Sequence, residues 1–82
     1  LAAEQGYADA QRNLGVMYRK GLGVLHDYVR AHMWFSIAVS SGGNKNIFKK
    51  SEDSVELWMF PSQIAEAQDL ARECVRKHYK GC

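Results

Sequence analysis

Cys74, His78 and Cys82 are the side chains in this sequence whose types and spacing come nearest to chemistry. On an unbroken helix they share one face and offer two thiolates and an imidazole. A structural zinc site takes four such ligands, and His26 and His32 belong to a distant loop and helix, so no metal centre is expected. Seven residues separate the two cysteines. On a continuous helix that places their Cα atoms about 12 Å apart, whereas a disulfide needs roughly 4.4–6.8 Å. A disulfide therefore requires the helix to end between them, with free thiols or an intermolecular bond as the alternatives.

Other chemistry finds less support. The chain has no Gly-x-Ser-x-Gly, phosphate loop or His-Glu-x-x-His. Glu52, Asp53 and Glu56 read as a solvated helix face, and His32 as a packing or surface histidine. Tyr18, Trp34, Phe35 and Trp58 stand at helical spacing and are expected in the core rather than as a platform for stacked bases. Eleven basic and nine acidic side chains, interspersed along the chain, give a net charge of +2. That is not the one-sided field of a nucleic-acid surface. The local excess of Arg72, Arg76, Lys77 and Lys80 suits the negative end of a helix. No apolar run reaches the roughly 18 residues of a membrane span. We therefore expect no enzyme, no cofactor, no nucleic-acid partner and no membrane insertion. The start at Leu1 without Met implies a mature product or an excised fragment.

The elements that position these residues are helical. In 82 residues, 46% of them hydrophobic, there is room for one small core and no second domain. Tyr7, Ala10, Leu14, Met17 and Tyr18 recur at helical spacing and predict a helix over about residues 8–20, closed by Gly21 and Gly23. Asp27 is an N-cap for a second helix carrying Tyr28, Ala31, Trp34, Phe35 and Ala38 and ending near Ser41. After a turn at Gly42, Gly43 and Asn44, residues 46–59 read as a third helix with Ile47, Phe48, Val55 and Leu57 on its apolar side. Pro61 opens a fourth, with Ile64, Ala65, Ala67, Leu70, Ala71 and Cys74 as its buried stripe. Shifted by 36 residues the chain matches itself: Tyr28 falls on Ile64, Ala31 on Ala67, Trp34 on Leu70 and Ala38 on Cys74. The expected fold class is all-α, an α/α solenoid of antiparallel hairpins with about two repeats of 36 residues.

The run Leu14, Gly15, Met17, Tyr18, Gly21, Gly23, Val24, Asp27, Tyr28, Ala31, Trp34, Phe35, Ala38 and Gly42 resembles the Sel-one-like repeat family, relatives of the tetratricopeptide repeats. Pro61 to Arg72 resembles the closing helix of bacterial members, with Phe60 where a Ser or Thr cap is usual, so that the start of this helix is expected to rest on packing. On this resemblance residues 1–6 end a preceding repeat, 7–42 form a complete one and 43–82 a divergent C-terminal cap. It also implies an adaptor for other proteins, with partners held on the concave face lined by the first helix of each hairpin. That face would carry Asp9, Arg12, Val16, Arg19 and Lys20, with Lys45, Phe48, Glu52, Val55 and Glu56 added by the shift of 36.

A cysteine-rich bacterial branch of the family is similar in placing a cystine across the turn after a second helix. In the 36-residue register Cys74 and Cys82 fall on positions facing each other there, which implies a Cys74–Cys82 disulfide and an extracytoplasmic, periplasmic or secreted home. The cytoplasm is the alternative. A structural role is the second expectation: a cap or assembly element pairing with another copy through an N-terminal edge of Leu1, Ala2 and Tyr7.

Overall fold

A computed structural model of the chain describes residues 3, 6–42 and 45–82. Leu1, Ala2, Gly43 and Asn44, named above for the edge and the turn, lie outside the described residues. Four helices follow in order: α1 (Ala8–Lys20), α2 (Tyr28–Ser40), α3 (Lys45–Glu56) and α4 (Pro61–Arg76). Among the described residues there is no strand.

The local signals explain the boundaries. Gly21 takes a left-handed conformation (φ 69°), and its N–H and that of Leu22 both reach back to the Met17 carbonyl, closing α1. The Asp27 carboxylate accepts from Arg30 N–H at 3.1 Å and starts α2. Phe60, which cannot cap through its side chain, is served from the other direction: its N–H donates to Gln63 Oε1 at 2.8 Å. Its ring is largely exposed, so the start of α4 rests on Gln63 and the N1 proline rather than on packing.

α2 is the hub, packing against α1, α3 and α4. Its residues Ala31 to Phe35, Ile37 and Ala38 are all buried, which is why its sequence is apolar nearly all round where the others are striped. α1 and α2 run antiparallel, for Asp27 N–H donates to Tyr18 O at one end while Gly15 abuts Phe35 further along. A Cβ on Gly15 would stand 2.5 Å from Phe35 Cε1, so glycine sets how closely the two helices approach.

The expected core needs correction on α3 and at its end. Phe48, Glu52 and Val55 face inward, whereas Ile47 is half exposed and Leu57 and Trp58 lie mostly in solvent, Trp58 being 70% exposed. The cause is a register change of one residue. The buried stripe of α4 repeats that of α2 after 36 positions, with Ala67 following Ala31 and Cys74 following Ala38. On α3 the buried Phe48 and Glu52 follow Gln11 and Gly15, the buried positions of α1, after 37. One residue is 100° around a helix, enough to exchange a flank for the core face. On α4, Ala65 is also exposed, outside the stripe of Ala67, Ala71 and Cys74.

Candidate protein-binding face

Of the residues expected on the binding face, α1 presents Asp9 and Lys20 exposed and Arg12, Val16 and Arg19 half-buried, and Lys45 is exposed at the start of α3. Arg12 Nε donates to Ser51 Oγ at 3.3 Å, so this side of α1 abuts α3 and the two helices present one surface. Phe48 and Glu52 do not belong to it. They are 3% and 6% exposed, held inside by the one-residue register change. Val55 is buried for the same reason. The positions of α3 that follow Arg12 and Val16 at the observed spacing are Lys49 and Asp53, both exposed.

The arginines separate this surface from the rest. Elsewhere Arg30 is matched by Asp27, Arg72 by Asp69, Arg76 by Glu73, and Lys49 by Glu52 and Asp53, while Lys50, Lys77 and Lys80 are exposed and form no ion pair among the described residues. Glu52 foremost, reinforced by Asp53 and Glu56, holds the Lys49 ammonium above the usual lysine range. The raised value means that Lys49 contributes stability through neutral pH and loses it as pH rises above that range. Arg12, Arg19, Lys20 and Lys45 pair with no carboxylate among the described residues. Arg19 Nε is turned inward and has no hydrogen-bond partner. An open groove of 620 Å³ lies elsewhere, between α2 and α4, lined by Ser36, Ile37, Ser40, Gln68, Ala71, Arg72 and Val75.

Cys74 and Cys82 form a disulfide with Cα atoms 5.7 Å apart. The helix does stop between them. Tyr79 N–H donates to Cys74 O at 2.9 Å, and His78 and Tyr79 adopt positive φ (55° and 66°), which reverses the chain. Tyr79 and Cys82 then pack on the cluster of Ala3, Met33, Trp34, Ile37, Ala71 and Cys74, and Arg30 Nη1 donates to Cys82 O at 2.5 Å. Such a bond suits an oxidising compartment. Among the described residues no helix is long and apolar enough to cross a membrane.

Sequence reasoning missed a polar cluster between α2 and α3. His32 is fully buried, with Nε2 2.7 Å from Glu56 Oε2 and 3.7 Å from Glu52 Oε1, and Nδ1 3.3 Å from Ser36 Oγ. Glu52 and Glu56 are thus not a solvated face: the first is buried and the second half-buried. The available signal was their i, i+4 spacing, which puts both carboxylates on one side of a helix.

No curated protein matches the chain. Residues 8–43 match the family model of the Sel1 repeat, covering α1, its glycine-closed loop and α2. Repeats of this family are non-catalytic modules that mediate protein–protein interaction. A glycine at the helix crossing, a glycine-closed first helix, an Asp-capped second helix and an all-helical fold all agree with the match of residues 8–43 to the Sel1 repeat.

Proposed function

We propose that the chain is an adaptor segment that binds an acidic protein segment along the outer side of α1, through Asp9, Arg12, Val16, Arg19 and Lys20 with Lys45 at the flank. The observation that carries this reading is the pair of arginines there, Arg12 and Arg19, without a carboxylate among the described residues, on a molecule whose other arginines, Arg30, Arg72 and Arg76, each face a nearby carboxylate. Arginines without carboxylates offer charge-assisted hydrogen bonds to an incoming acidic chain, and half-buried Val16 between them packs on the cluster of Ala31, Phe35 and Val55 and so holds this side of α1 in place. An elongated surface of this kind suits a peptide better than a metabolite, which takes an enclosed cavity. In this reading residues 1–6 close a preceding repeat, 7–42 carry the site and 43–82 cap the array. The disulfide supports a home outside the cytoplasm in this reading, in a periplasm or as a secreted protein.

The test is an array of acidic peptides probed with the chain and with Arg12→Glu/Arg19→Glu. The double variant is expected to bind its best peptide at least about tenfold more weakly, equivalent to about 1.4 kcal/mol, with an unchanged melting temperature. Added salt should weaken the wild-type complex, since the contacts are at the surface. Equal binding by the double variant would move the site off α1.

A further inference from the structure

We propose that His32, Glu52 and Glu56 form a binding site for a divalent first-row transition ion, of which zinc is the probe, and that the ion fastens α3 to α2. Three ligand atoms, one imidazole nitrogen and two carboxylate oxygens, lie within 4.8 Å of one another. They come from two helices that have no other polar contact of this depth among the described residues. α3 packs on α2 through Val55, which joins Ala31 and Phe35, and through this cluster.

The hydrogen bonds make the site hungry for positive charge. With Nδ1–H donating to Ser36 Oγ, the Nε2 lone pair points at the two carboxylates, so lone pairs converge from three sides. A proton on Nε2 serves Glu56 at 2.7 Å but leaves Glu52, at 3.7 Å, outside hydrogen-bond range. A metal ion serves all three together. Zinc takes nitrogen and oxygen ligands at about 2.0–2.2 Å, which spreads neighbouring ligand atoms to roughly 3.3 Å. Glu56 has to withdraw slightly from His32 to allow this. Its side chain is 31% exposed, so it has that freedom, and its open flank admits water to a fourth position. His32 and Glu52 form the fixed floor, with side chains 0% and 8% exposed.

The charges balance as well. Two carboxylates neutralise a dication in a site that is otherwise buried, the condition under which a buried charge is tolerated. Lys49, now 3.3 Å from Glu52, already lies 3.6 Å from Asp53 and keeps that partner when Glu52 turns to the ion. Ser36 orients the imidazole from behind, the arrangement that fixes the tautomer of ligating histidines. One nitrogen and two oxygens suit zinc, cobalt or nickel better than magnesium or calcium, which favour oxygen-only shells.

The experiment uses the full chain, zinc chloride and cobalt chloride, and calorimetric and optical readouts. Zinc is expected to bind with a stoichiometry near one and raise the melting temperature, and magnesium to do neither. Glu56→Gln, on the open flank, is expected to fold and to weaken zinc binding at least tenfold, and His26→Gln/His78→Gln, at exposed histidines, to leave it unchanged. Cobalt should give a visible d–d band that Glu56→Gln removes. Absence of a zinc-dependent melting shift in the wild type overturns the proposal. So does zinc binding that survives Glu56→Gln and is lost with the two exposed histidines. These outcomes are independent of whether α1 binds a peptide.

Discussion

Replacing Cys74 and Cys82 together with alanine is expected to lower the unfolding free energy by about 2.5 kcal/mol, the loop-closure value for so short a crosslinked segment. The bond spans a sequence separation of 8 and holds a reversal that the chain does not favour by itself. His78 and Tyr79 sit in the left-handed region, at about 1–2 kcal/mol each for residues other than glycine. Without the crosslink, these residues relax and Tyr79 leaves the cluster around Met33, Trp34 and Ile37. For a domain of this size the loss corresponds to a melting temperature lower by roughly 10–20 °C. Urea denaturation of the double variant, beside the wild type with and without reductant, measures it. Equal midpoints in all three would show that the tail adds nothing to the fold.

Gly15→Val should lower stability by about 3 kcal/mol, at the upper end of the range for overpacked cores. The new Cβ would meet Phe35 carbons at 2.5 and 2.6 Å and the Ala31 carbonyl oxygen at 3.2 Å. Phe35 is 1% exposed and has no space to retreat into. Helix propensity offers little relief, because valine gains only a few tenths of a kcal/mol over glycine in a helix interior. α1 must then stand away from α2, loosening the hub of the molecule. Denaturation of Gly15→Ala beside it separates the two effects: alanine gains about 1 kcal/mol in propensity and adds only the Cβ, so its loss should be smaller. A wild-type midpoint for the valine variant would mean that the helices do not approach as closely as described.

How much of this was legible in the sequence varied along the chain for physical reasons. α1 and α2 carry punctuation with a local cause: Gly21 closes one helix through its positive φ and Asp27 opens the next through its carboxylate. α4 begins at Pro61, where a missing N–H costs nothing. α3 has no such marks, and its partner-facing side, with Phe48 and Glu52, follows from carrying the 36-residue period across from α1. The period is local to the α2 and α4 pair. The spacing from α1 to α3 is one residue longer, which no composition signal records and which decides whether Phe48 and Glu52 face a partner or the core. Burial of Glu52 follows from the same shift, and with it the His32 cluster. A histidine on one helix and two glutamates on another meet only after packing. Trp58 shows the converse: a large aromatic with core spacing lies beyond the end of α3 and remains outside.

That an acidic protein segment docks on the outer side of α1 is tested most directly by nuclear magnetic resonance of the labelled chain, titrated with the strongest acidic peptide from the array. At 9.3 kDa the protein is small enough for every described amide to be followed. The account predicts shifts concentrated on Asp9, Arg12, Val16, Arg19 and Lys20 and reaching Lys45, with Ser36, Gln68, Arg72 and Val75 unmoved. Shifts confined to that α2–α4 groove, with α1 silent at saturation, would contradict it.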